Sequence, residues 1–200
     1  MTISTRIEHE HYQSLRESVI QLGYGSEIEW AQTVQLVADP LTFWREYSWV
    51  VINSGMKNQV ARGIWEKVRP VVEAGGSASE VFGHKGKSDA IDRVFATKET
   101  LLAQFLQSSD RMEFLWGLPW IGETTRWHLA KNFGLDCAKP DRHLLRIAGK
   151  EGVEQLCDRL AKESGDRVGT VDLVLWRASN LGLLDTMAIA RERAAAEVPA

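Results

Sequence analysis

The chain has 200 residues, of which 44 % are hydrophobic and 26 % charged, and its net charge is −3. This balance excludes a disordered chain, a bulk polycation and a bilayer-spanning helical protein, because no apolar run approaches the ~18 residues that a membrane helix needs. Its two cysteines, Cys137 and Cys157, are too few for a disulfide framework or for the four thiolates of an iron–sulfur cluster. The opening MTISTRIEHEHYQSL has no charged-then-apolar leader, so the expected location is the cytoplasm, near the nucleoid in a bacterium.

Nearly every segment carries the helical period. Apolar residues recur at helical spacing over 7–22, and LTFWREYSWVVI at 41–52 reads as a buried helix. Residues 57–74 read as amphipathic, with Val60, Ile64, Trp65 and Val68 on one side and Pro70 as a potential kink. Small residues at 75–79 break the pattern. Short helices follow at 88–95, 98–105 and 111–116, the last capped by Ser109 or Asp110. A helix over 122–133 stops at Gly134. Others are predicted at 141–147, 153–163, 171–181 (capped by Thr170) and 187–196, the last fraying near Pro199. The sequence has no convincing strand, repeat or low-complexity tract. It predicts an all-α protein of about ten short helices.

One turn stands out. In LPWIGETTRWHLA, from Leu118 to Ala130, a proline fixes one φ and Gly122 precedes a helix. Such a turn leaves backbone N–H groups open at a helix N-terminus, where they bind anions such as a DNA phosphate, with Thr124 and Thr125 adding hydroxyls. An ordinary connection between two helices has the same residues. Around it, from Trp120 to Lys150, six basic side chains outnumber three acidic ones. This is either a nucleic-acid patch or a solvated helix face.

Nineteen residues after Gly122 comes Asp141, in PDRHLLRIA. Together, Leu118, Pro119, Ile121, Gly122, Thr125, Gly134, Pro140, Asp141 and His143, with Arg146 beyond, resemble the helix-hairpin-helix DNA glycosylase superfamily. The site pattern is similar to those of endonuclease III and the alkyl-base glycosylases. VVINSGMKNQVARGIW and GHKGKSDAI resemble upstream parts of that family, so the likeness runs over 43–148. Trp120 stands where the family usually has its first hairpin glycine. Thr124 stands where bifunctional members carry a nucleophilic lysine, so no amine is present there to form a Schiff base.

The resemblance implies a monofunctional, cluster-free enzyme. Its all-α fold would have two helical lobes flanking a cleft. One lobe, 41–140, would end in the helix-hairpin-helix, and the other would combine 1–40 with 141–200. The partner would be double-stranded DNA with a damaged or modified base, bound by a monomer. No cofactor is expected, apart from a monovalent cation at the hairpin.

Such an enzyme must rotate a nucleotide out of the duplex. Phosphate anchors are expected at Gly122, Thr124 and Thr125, with Trp120, Lys57, Arg142 and His143 also on DNA, and His84, Lys85 and Lys87 near its backbone. Met56 is the expected wedge, or else a core plug. Thr124, His128 and Trp176 are the expected base pocket, although a surface histidine and a core tryptophan have the same sequence signature. Asp141 is the expected catalyst, stabilising positive charge on the sugar and orienting water, and it is equally a helix cap. Asp172 is expected as a first-turn acid that favours the helix dipole. Two other readings stay open: a non-catalytic helix-hairpin-helix DNA-binding module, and a helical protein-interaction domain.

Overall fold

A computed structural model describes residues 6–196, so the expected fraying near Pro199 lies outside the described residues. Among these residues helices are the only regular secondary structure, and the protein is all-α. The chain divides into two compact units, Met1–Val34 with Leu135–Ala200, and Gln35–Gly134. The expected lobe boundaries lie a few residues further along the chain.

The unit Gln35–Gly134 holds α3 (Pro40–Asn53), α4 (Asn58–Glu73), α5 (Lys85–Ala96), α6 (Lys98–Gln107), α7 (Arg111–Trp116) and α8 (Glu123–Asn132). Asp39 starts α3 by accepting the Thr42 N–H, and Pro40 fits the first helical position because its missing N–H is not needed there. Seven residues of α3 are buried, including Phe43, Trp44, Tyr47 and Ile52. Phe43, Phe105 and Phe133 meet with ring centroids 4.6 to 6.2 Å apart. Burying each ring stabilises the unit by about 1.5–3 kcal/mol. At the end of α8, Gly134 has φ +84, and a Cβ there would lie 2.2 Å from the Gln35 carbonyl oxygen. Only glycine fits this crossing, where Val37 N–H also bonds Phe133 C=O.

Pro70 lies inside α4, which continues to Glu73. One expectation for this helix changes. The buried stripe of α4 is Ala61, Val68 and Val72, whereas Val60 is 54 % exposed.

The other unit comprises α1 (His9–Val19), a wide turn at Ile20–Tyr24, α2 (Gly25–Thr33), α9 (Arg142–Ala148), α10 (Val153–Ser164), α11 (Val168–Asn180) and α12 (Thr186–Ala196). Tyr12, Leu144, Cys157, Leu160, Val171 and Leu175 are at its core. Polar ties join distant segments of sequence: Tyr12 donates to Asp166, Arg159 pairs with Glu151 and reaches the Ile7 carbonyl, and Arg177 pairs with Glu27. The predicted helix at 7–22 ends at Val19 because Gly23 turns left-handed. Helix α2 has only Ile28 and Ala31 buried, too few to produce a sequence signal. α11 begins at Val168, before Thr170; the Thr170 hydroxyl is buried and donates to Gln32 rather than capping a helix.

Candidate functional site

The segment between α7 and α8 is built from both sides. Asp110 caps α7 by accepting the Glu113 N–H. Leu118 and Ile121 are buried, and Ile121 N–H closes the turn on Leu118 C=O. Tyr47, from α3, donates to Pro119 C=O at 2.8 Å. Between them Trp120 sits at φ +61, the one non-glycine residue with a left-handed backbone among the described residues. That conformation costs an L-residue about 1–2 kcal/mol. Trp120 therefore holds a backbone conformation that glycine favours, with an indole attached. Its ring meets His84 edge-on at 5.0 Å and covers Gly86, where a Cβ would lie 2.6 Å from the indole.

Gly122 and Thr125 begin α8 reciprocally. Gly122 N–H donates to Thr125 Oγ1 at 2.7 Å, and that hydroxyl donates back to Gly122 C=O at 3.2 Å. These two groups are therefore engaged with each other. The N–H groups of Glu123, Thr124 and Thr125 precede the first helical bond, from Arg126 N–H to Gly122 C=O, and have no acceptor within the helix. In the turn, Leu118 C=O and Pro119 C=O already accept hydrogen bonds. Thr124 is exposed on the outer face of α8, and His128, one turn on, is half-buried.

Arg126 is one of the six basic side chains between Trp120 and Lys150, but its aromatic contacts were not foreseen. Its guanidinium lies 4.4 Å from the ring centroid of Trp116, which is 46 % exposed, and 5.7 Å from that of Trp127. No spacing rule links a helix residue to the helix before a turn, so the sequence carried no signal for this contact.

The turn between α3 and α4 carries Met56, half-buried, and Lys57, exposed, after Gly55 at φ +78. Lys87 was expected near DNA backbone, but it is buried. Its ammonium donates to the Ser54 carbonyl at 2.7 Å and the Ser54 hydroxyl at 3.0 Å. Burial holds it below the ordinary lysine pKa. The signal was present in the sequence: Lys87, Ala90, Ile91 and Val94 share one helical stripe, and all four are buried. Of its neighbours, Lys85 is exposed and pairs with Asp89, and His84 caps α5 through Nδ1.

In the other unit, Asp141 begins α9. Its Oδ1 accepts the His143 N–H at 2.8 Å and the Leu144 N–H at 3.1 Å. Among the described residues nothing donates to Oδ2. The residue is thus a cap on one oxygen and open on the other. Arg142 is exposed and its Nε donates to His143 Nε2 at 3.4 Å. His143 Nδ1 is buried without a partner. Asp172 departs from expectation: it is 2 % exposed, lies beyond the first turn of α11, and accepts the Lys139 N–H at 2.9 Å. That bond fixes the approach to Asp141 on α11. Trp176 follows one turn after Asp172, half-buried against the core, with the Arg177 guanidinium 4.8 Å from its ring centroid.

Compared with known proteins, the chain matches no family model, no curated protein and no solved structure.

Proposed function

We propose that this protein is a monofunctional DNA glycosylase, which flips a damaged or modified base from double-stranded DNA and hydrolyses its N-glycosidic bond, leaving an abasic site. The observation that carries the reading is the state of Asp141, nineteen residues beyond the glycine of a helix-hairpin-helix pattern. Two backbone N–H groups hold one oxygen, and the other oxygen is open.

The chemistry asks for that arrangement. As the bond between C1′ and the base nitrogen lengthens, its electron pair leaves with the base and positive charge grows on the sugar. An ionised carboxylate fixed beside that charge stabilises it without having to reorganise. Water then adds to C1′ and passes its proton to Oδ2, while the departing base is protonated from solvent. With Thr124 in place of an amine, the enzyme forms no covalent adduct and does not cut the strand.

The N–H groups of Glu123, Thr124 and Thr125 bind a backbone phosphate at the start of α8. Met56 enters the gap left by the flipped nucleotide. Lys57, Arg142 and His143 contact the DNA backbone, and Thr124, His128 and Trp176 receive the base. No step depends on a cofactor, and a monovalent cation at the hairpin would only brace the turn. No helix among the described residues is long and apolar enough to cross a membrane. The reading places a monomeric enzyme in the cytoplasm.

The test is base release. Wild type and Asp141→Asn are incubated with end-labelled duplexes bearing a panel of damaged and modified bases, then split with and without alkali, which cuts abasic sites. The expected result is alkali-dependent cleavage by the wild type that disappears in the variant. Salt-sensitive binding without cleavage on any duplex would replace the enzyme with a non-catalytic hairpin module.

A further inference from the structure

We infer that Trp120 is the surface on which an unstacked nucleobase, other than the one received by Thr124, His128 and Trp176, comes to lie, so that the hairpin recognises distorted DNA and not only phosphate. The inference rests on the DNA reading above and adds a ligand class to one residue.

Eight of the nine left-handed positions among the described residues are glycines, and the ninth is Trp120. A bulky residue in that conformation persists only where its surroundings hold it, and such sites gather where chains bind ligands. Here the surroundings are explicit: buried Leu118 and Ile121 flank it, and Tyr47 fixes Pro119. Burial does not account for the residue, because Trp120 is 48 % exposed.

The indole is nevertheless not loose. His84 meets it edge-on, and Gly86 lies against its six-membered ring. An aromatic ring already fixed loses little freedom when it binds, which suits a flat, rigid ligand. A nucleobase fits that description, and base-on-aromatic stacking tolerates any sequence because every base has a π face. The surroundings favour DNA over an apolar partner. Two residues beyond Trp120 lies the open N-terminus of α8, where a phosphate binds. Lys87 also holds the Ser54–Met56 turn against the first turn of α5, next to the Gly86 that carries the indole. Trp120 and the Met56 turn are therefore braced by adjacent residues of one helix. A base paired and stacked in an intact duplex has no free face for the ring.

The experiment measures dissociation constants for a duplex carrying one unpaired adenine and for the same duplex fully paired, using wild type, Trp120→Gly and Trp120→Phe. Far-ultraviolet circular dichroism checks the fold of each; glycine suits φ +61, so Trp120→Gly is expected to fold. The wild type is expected to prefer the unpaired-base duplex. In Trp120→Gly that preference falls by roughly 5- to 160-fold, the range for loss of one stacked base. Trp120→Phe keeps most of it. The slope of log affinity against log salt stays the same in all three, because a stacked ring neutralises no phosphate. If Trp120→Gly retains the full preference, the inference is overturned and the glycosylase reading stands. If the wild type binds neither duplex, both fall together.

Discussion

The Lys87 ammonium lies 2.7 Å from the carbonyl oxygen of Ser54 and 3.0 Å from its hydroxyl. A buried cation thus closes the turn that presents Met56, and its role is to position that turn. Lys87→Met keeps the stem and removes both bonds. Leaving buried acceptors without a donor costs about 1–3 kcal/mol. Urea unfolding is expected to show a loss of that size, and amide exchange at Gly55 and Met56 is expected to accelerate. Unchanged exchange in this turn would mean that the ammonium does not hold it.

Trp120 allows its backbone and its ring to be tested separately. Trp120→Ala keeps the left-handed strain and loses the ring, whereas Trp120→Gly loses both. The strain is about 1–2 kcal/mol, so the glycine variant is expected to be the more stable of the two by that amount. Equal denaturation midpoints would show that the turn is not strained at this position.

The reciprocal pair Gly122 and Thr125 predicts the cost of breaking the start of α8. Thr125→Ala removes the hydroxyl that satisfies Gly122 N–H, for a loss of about 1 kcal/mol. Thr125→Ser restores the bond and most of the stability. Thermal unfolding of the two variants distinguishes a cap from simple loss of volume.

Asp141 has two roles that different substitutions separate. Asparagine caps a helix about as well as aspartate, so Asp141→Asn is expected to keep the stability of α9, whereas Asp141→Ala loses about 1 kcal/mol. Neither carries a carboxylate. Base release is therefore expected to fall roughly 100-fold or more in both, comparable to losing a single group that stabilises charge in the transition state. Activity that followed stability across the pair would reduce Asp141 to a cap.

Glu46 on α3 accepts from the Asn132 side chain at 2.9 Å, and its burial raises its pKa more than that bond lowers it. A carboxyl raised in the folded state contributes stability that is complete below its unfolded pKa and is lost as pH rises through the folded value. The contribution of Glu46 to stability is therefore expected to increase as pH falls from neutrality toward the unfolded carboxyl range. Glu46→Gln keeps an acceptor for Asn132 and has no charge to bury, so it is expected to be more stable than wild type at neutral pH, by a margin that shrinks as pH falls across this window. Parallel curves for the two proteins would exclude a burial penalty at Glu46.

Several features were readable in the sequence because their causes are local. The caps at Asp110 and Asp141 follow from acid side chains just before a helical period, and the buried run of α3 follows from its apolar content. The stop at Gly134 was also legible as a helix end, but its reason was not: the Gln35 carbonyl crosses there, brought from the far end of the unit. Helix α2 escaped notice because two buried residues do not make a period. Lys87 was misread because a lysine suggests an exposed charge, although its place on the Ala90–Ile91–Val94 stripe already marked it as inward-facing.

By itself, then, the sequence determined an all-helical chain, the place of the turn before α8 and the spacing from Gly122 to Asp141. Helical period, proline and glycine preferences and capping chemistry act over a few residues and are written in their order. Tertiary structure alone decided that Trp120 keeps a left-handed backbone, that Lys87 binds Ser54, that Arg126 stacks on Trp116, and that Asp172 anchors the approach to Asp141. Each of these depends on groups far apart in the chain, or joined across a turn, meeting at contact distance, and no local preference specifies such a meeting.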